Sequence, residues 1–146
     1  MFSKIVVGTD GSDSAAGAVA LAADIARQTG ATVHIVSAYK DADTTIAVAH
    51  VGVVAVPDSS VTAAVIKRAS EELLADLAKE MGQVPVETHS VPGAPADALI
   101  GVAEAVGADL IVVGSKGMKG PRRLLGSVPN SVAHRARCHV MIAKTT

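Results

Sequence analysis

The chain reads as an α/β protein built on a doubly wound, five-stranded parallel sheet, and three observations predict this. Short apolar runs alternate with helix-length segments along the whole sequence. Two of the runs, residues 5–7 and 110–113, are apolar on both faces, as buried central strands are. Each of those two is followed directly by glycine, Gly8 and Gly114. The order that places the first and fourth strands at the centre is 3-2-1-4-5. With 146 residues the chain has the length of one domain, 1–146, with its own core.

Residues 5–7 lead into the turn Gly8-Thr9-Asp10-Gly11-Ser12. Asp10 or Ser12 can cap the next helix there, and Asp13 suits its first turn. That helix runs to about Thr29 with Ala15, Val19, Ala22, Ile25 and Ala26 on one stripe, and Gly30 stops it. Residues 32–39 form the second strand. Residues 41–60 begin polar and then place Val51, Val53, Val54 and Val56 around Gly52. They read as a long loop with a short extended piece, positioned to cover a site. A helix follows with Val61, Val65, Leu73, Leu77 and Met81 on its apolar side, ending at Gly82. Residues 85–91 start with proline and alternate in polarity, as an edge strand does. Pro95 opens a third helix and Gly107 closes it. After the strand at 109–113, a last helix spans 127–137 and a last strand 139–144. Val140 and Ile142 would face one side of that strand and Met141 the other. In the order 3-2-1-4-5 it is an apolar edge, which invites pairing with its own copy and predicts a homodimer.

Composition removes several function classes. Net charge is −1, so no overall basic field drives binding along nucleic acid. Phe2 and Tyr39 are the whole aromatic complement, too few for a base-stacking platform. Cys138 is the single cysteine, which suits a reducing compartment. No secretion signal is legible before residue 5 and no apolar run approaches 18 residues, so a cytoplasmic protein without a membrane partner is expected.

The segment most suggestive of chemistry follows the fourth strand: Gly114-Ser115-Lys116-Gly117, then Lys119, Arg122 and Arg123, then Gly126-Ser127-Val128-Pro129. Glycines at a strand end let backbone amides approach a ligand closely. Ser127 stands where an N-cap belongs, and the amides of a helix start attract anions. A basic, glycine-rich loop between a buried strand and a helix start suggests a phosphate cradle. It is not a Walker A loop, and no Gly-x-Gly-x-x-Gly occurs, so a P-loop hydrolase or a nicotinamide dehydrogenase is not indicated. In the order 3-2-1-4-5 the winding reverses between the first and fourth strands, so the turn after Gly8 and the loop after Gly114 face one crevice.

These motifs resemble the universal stress protein family in its nucleotide-binding branch, over essentially the whole chain. The resemblance rests on Val7-Gly8-Thr9-Asp10-Gly11-Ser12, on Val113-Gly114-Ser115 and on Gly126-Ser127-Val128-Pro129. The family signature is glycine, two residues, glycine, nine residues, then glycine with serine or threonine. Gly114, Gly117 and Gly126-Ser127 supply its fixed points, and the second spacing here is one residue shorter than the usual form. The resemblance implies a Rossmann-like, adenine nucleotide alpha hydrolase-like fold. It also implies a homodimer that binds an adenine nucleotide and acts as a stress-response sensor or regulator. ATP, with magnesium, is the first ligand it suggests; AMP and cyclic AMP are the others, and a single phosphate would need fewer contacts from the shortened loop. By position, Gly8 and Thr9 would line the adenine side, Asp10 would meet the ribose, and Ala38 would hold adenine through its backbone. Gly114, Ser115 and Gly117 would wrap ribose and α-phosphate. Ser127 and Val128 would give amides to the phosphates, beneath Gly126, with Arg123 as a further phosphate contact.

Each of these positions has a plainer role as well. Asp10 and Ser127 can be caps alone, and basic loop residues are often just solvated. His34 and His89 fall on strands, where packing or solvent accounts for them. His134 and Cys138, four apart on the last helix, could join His139 at a metal, but a fourth ligand is lacking and Arg135 and Arg137 would repel a cation, so no metal ligand is assigned. The same pair lacks an oxyanion donor or orienting group, so no nucleophile is assigned. Glu71, Glu72, Asp76, Lys79 and Glu80 form a solvated helix face. No tuned base and no acidic pair for magnesium accompanies the glycine loop, and no catalytic residue is assigned. The alternatives to a binding protein are a slow ATPase or phosphoryl or nucleotidyl transferase, and an interaction module without ligand.

Overall fold

The computed structural model describes residues 1–40, 59–115 and 127–144. In chain order the elements are β1 (Lys4–Thr9), α1 (Asp13–Thr29), β2 (Thr32–Tyr39), α2 (Ser59–Glu80), β3 (Val86–Pro92), α3 (Pro95–Val106), β4 (Leu110–Gly114), α4 (Val128–Arg135) and β5 (His139–Ala143). The strands pair in parallel in the order β3-β2-β1-β4-β5. The doubly wound sheet and its 3-2-1-4-5 order therefore stand as the sequence predicts. Among the described residues no helix is long and apolar enough to cross a membrane.

Strand alternation divides the core into two layers. Ile5, Val7, Val33, Ile35, Leu110 and Val112 face α1 and α2, where Ala18, Ala22, Ala26, Leu74 and Met81 cover them. Val6, Val36, Ile111 and Val113 face α3 and α4, against Leu99, Val102 and Val132. The first two crossovers lie on one face and the next two on the other, so the winding reverses between β1 and β4. The alanines of α1 bring that helix close to the sheet. Gly30 then ends it in the left-handed region, φ 76°, with its amide on the Ala26 carbonyl.

Four expectations need correction. The buried stripe of α2 passes through Ser70 and Leu74 and continues to Met81 just past its end, while Val65 is 62% exposed and Leu73 only half-buried. A hydrophobicity pattern skips Ser70, which is buried because its hydroxyl accepts a 2.8 Å hydrogen bond from Ser90 of β3. The last helix stops at Arg135, because Ala136 is already extended (φ −65°, ψ 144°), so Cys138 lies beyond it and is not one helical turn from His134. Helix α2 begins at Ser59, which takes the last two residues of the loop expected at 41–60; residues 41–58 lie outside the described residues. The edge strand expected at 85–91 is β3, displaced by one residue.

Asp109 ties the amino ends of the two central strands together. One carboxylate oxygen accepts from the Ser3 amide (2.9 Å) and hydroxyl (2.8 Å), the other from the Lys4 amide (3.2 Å). Partial burial pushes this carboxyl up, but the hydrogen bonds from Ser3 and Lys4 outweigh it and hold the group below its usual range. A depressed folded pKa contributes stability above the unfolded pKa, and that contribution is lost as pH falls through the folded value. Asp109→Ala should therefore destabilise the protein at pH 7 by about 1–2 kcal/mol, at the low end because the group is partly solvated. Thermal melts from pH 7 to about pH 2 should show the gap between variant and parent closing below about pH 4; a gap that stays constant would contradict this role.

Candidate functional site: the crevice between β1 and β4

The turn after β1 is held by its own side chains. The Thr9 hydroxyl accepts from the Gly11 amide (3.2 Å), and an Asp10 carboxylate oxygen accepts from the Ser12 amide (2.9 Å). Gly11 takes φ 79°, a left-handed conformation that a side chain would strain. Ser12 is then the N-cap of α1, its hydroxyl accepting from the Ala15 amide (3.2 Å). On the other side Ser127 caps α4, its hydroxyl accepting from the Asn130 amide (3.3 Å). Both helix starts thus point at the carboxyl ends of β1 and β4.

Between them lies a pocket of about 170 Å³. Most of its lining is apolar: Val36, Ala38, Pro95, Leu99, Val113, Val128 and Pro129. The polar side chains of the lining are Thr9, which is buried, and Asp10, Ser12 and Ser14 at the start of α1. Sites for drug-sized ligands run to roughly 300–1,000 Å³, so the described walls enclose a base-sized part of such a molecule. The geometry suits a flat, weakly polar ring inside and hydroxyl-bearing groups at the mouth.

The electrostatics of the two helix starts differ. Helix α1 carries Asp13 in its first turn and follows Asp10, whereas the first turn of α4 holds no acidic residue. An anion is therefore favoured at α4 and opposed at α1. At α4 the Asn130 amide is taken by Ser127 and Pro129 has none, which leaves the Val128 amide as the first-turn donor.

The crevice gathers six of the sequence-predicted residues: Gly8, Thr9, Asp10, Ala38, Gly114 and Val128. Ser127 stands at the cap of α4 and Ser115 just past β4, neither on the pocket wall. The Ser115 amide donates to the Ala143 carbonyl (2.9 Å), so it extends the sheet toward β5. Gly117, Arg123 and Gly126 lie outside the described residues. Sequence reasoning missed Ser14, Ala15, Val36, Pro95, Leu99 and Val113. Val36 was legible, since it shares a strand face with Ala38 two residues on. Leu99 was not, because nothing in its helix pattern says that it reaches the β1 end.

The central glycines have a packing reason besides ligand access. A Cβ on Gly114 would lie 3.0 Å from the Ser14 hydroxyl oxygen and 3.1 Å from the Ser14 carbonyl oxygen. A Cβ on Gly8 would lie 3.1 Å from a Leu99 methyl. Three groups among the described residues, His34, Asp109 and Cys138, have a displaced pKa, and these three do not line the crevice. Burial pushes the Cys138 thiol up, its own backbone hydrogen bond opposing and Asp109 adding, which makes it a poor nucleophile.

A universal stress protein family model matches residues 1–144. The chain belongs to the universal stress protein family. Universal stress protein Rv1636 of Mycobacterium tuberculosis is 39% identical over 153 residues, covering 99% of this chain and 98% of that one. Universal stress protein YxiE of Bacillus subtilis is 31% identical, covering 99% and 100%. Among solved structures, a universal stress protein in complex with cAMP superposes with a TM-score of 0.72 at 38% identity, covering 99% and 98%. The Archaeoglobus fulgidus family member in complex with dAMP gives 0.64 at 26% identity, covering 97% and 98%. The adenine nucleotide alpha hydrolase-like fold is that of these family structures.

The packing of the two glycines yields a graded expectation. Gly114→Ala pushes a methyl onto the backbone of Ser14 and should cost about 1–3 kcal/mol. Gly8→Ala meets only the end of a leucine side chain and should cost less. Urea denaturation of both variants checks the order; equal stabilities would mean that α1 yields at Ser14.

Proposed function

We propose that the chain binds an adenine nucleotide with a single phosphate in the crevice between β1 and β4, and acts as a nucleotide-dependent regulator. The observation that carries this reading is the asymmetry of the crevice: an apolar pocket, an acidic rim at α1, and an acid-free helix start at α4. Adenine would lie against Leu99, Val36 and Ala38. The ribose hydroxyls would meet Asp10, and the phosphate the Val128 amide and the Ser127 hydroxyl. Gly117, Arg123 and Gly126 would complete the phosphate side, as the signature implies. Two solved relatives carry cAMP and dAMP, each with one phosphate. The glycine signature, one residue short between Gly117 and Gly126, supports cyclic AMP over ATP with magnesium. Regulation would pass through a homodimer paired along β5, an edge strand on which Ile142 is 38% exposed.

Titration calorimetry with cyclic AMP, AMP, adenosine and ATP with magnesium tests the ligand. Cyclic AMP or AMP should bind most tightly, and Arg123→Ala should weaken both while leaving adenosine unchanged. Ser127→Ala should cost about 1–2 kcal/mol of nucleotide binding through one lost charged hydrogen bond. Tighter binding of ATP would make the triphosphate the ligand, and no binding of any of the four would leave an interaction module. For assembly, light scattering should report a dimer that Ile142→Glu converts to monomer; a monomeric parent would contradict the β5 interface.

A further inference from the structure

A second cluster of chemistry lies away from the crevice, on β2 and β3. Parallel register sets His34 beside Glu87 and Val36 beside His89. Residues two apart on a strand share a face, and Val36 packs in the α3 layer, so all three side chains stand on that side of the sheet. His34 Nδ1 lies 3.0 Å from His89 Nε2 and 3.4 Å from Glu87 Oε2. One donor atom from each residue falls within 4.8 Å of the other two. A tetrahedral zinc ion with bonds near 2.1 Å holds its donors about 3.4 Å apart, so this spacing needs little adjustment.

We propose that His34, Glu87 and His89 form a binding site for a divalent transition-metal ion of the zinc class. Two imidazoles and one carboxylate suit Zn²⁺, Co²⁺ or Ni²⁺ and do not suit Mg²⁺ or Ca²⁺, which take oxygen donors. The site has a buried end and an open end. His34 is 3% exposed, whereas the Glu87 side chain is 63% exposed and gives an ion a path from solvent. Three protein ligands leave a fourth position for water.

The alternative is a purely structural histidine pair. In that reading one imidazole hydrogen-bonds the other and Glu87 only stands beside them, so no stoichiometric Zn²⁺ uptake is expected. His34 Nε2 is buried and finds no partner among the described residues. That atom stays unpaired whether or not an ion is bound through Nδ1, so it favours neither reading. Burial pushes the His34 imidazole down, with Glu87 opposing and His89 and Lys4 adding to the shift. The Lys4 ammonium opposes a cation but is held by the Val106 carbonyl at 2.8 Å. Coordination through Nδ1 places the proton on Nε2, where no acceptor is at hand among the described residues. The outer hydrogen bond that strengthens tight zinc sites is thus missing, and micromolar rather than tighter affinity follows.

Untagged full-length protein titrated with zinc chloride in a non-chelating buffer tests this, with magnesium chloride as control. The proposal expects one Zn²⁺ per chain, no comparable Mg²⁺ binding, and no competition from cyclic AMP. His89→Ala and Glu87→Gln should each weaken Zn²⁺ at least about tenfold, with circular dichroism verifying that both variants fold. Cobalt loading should give visible ligand-field bands that His89→Ala removes. If His89→Ala does not fold, Glu87→Gln on the open side decides the matter alone. Absence of stoichiometric Zn²⁺ binding would overturn the proposal. So would binding that survives both substitutions, or that is lost instead in Cys138→Ser or His134→Ala.

Discussion

At the point where the sheet's winding reverses, β1 and β4 lie side by side with helices leaving on opposite faces, and the neighbours at Gly8 and Gly114 stand close to where a Cβ would be. The missing Cβ at Gly114 lets the first turn of α1 settle on the end of β4. The missing Cβ at Gly8 lets Leu99 of α3 reach the end of β1. A crevice at a reversal of winding is a property of every sheet of this kind. Here the two close approaches determine its shape, since they draw Leu99 and the α1 start into its walls. A bulkier residue at Gly114 would press on the backbone of α1, and one at Gly8 on the Leu99 side chain in the pocket wall.

Charge then gives the crevice a direction. Both α1 and α4 offer amides at their starts, and a phosphate could in principle sit at either. Asp10 and Asp13 place negative charge at α1, and Asp10 is committed to the Ser12 amide, so that end is suited to hydroxyl donors. The α4 end has a serine cap and no acid in its first turn. The same residues that make α1 a well-capped helix therefore make it a poor phosphate site. The polarity of the proposed ligand, base and sugar toward α1 and phosphate toward α4, follows from how each helix is capped.

Much of this was legible in the sequence, because the signals were local. The apolar runs at 5–7 and 110–113, the capping residues Ser12 and Ser127, and the helix stops at Gly30 and Gly107 act within a few residues of themselves. What escaped depends on contacts distant in sequence. The face of α2 was misplaced because Ser70 is buried by Ser90, twenty positions away. Leu99 joined the crevice through Gly8, and the Ser115 amide went to Ala143. The His34, Glu87 and His89 cluster follows the same rule. Glu87 and His89 share a face by spacing alone, but only the β2–β3 register sets His34 beside Glu87 and within reach of His89.

The central claim is that one adenine nucleotide lies in the crevice with its phosphate at the start of α4. A crystal structure of the protein with cyclic AMP tests it most directly. The account predicts adenine against Leu99 and Val36, the ribose hydroxyl within hydrogen-bonding distance of Asp10, and the phosphate on the Val128 amide. A phosphate bound at the start of α1, or a nucleotide bound outside the β1–β4 crevice, would contradict it.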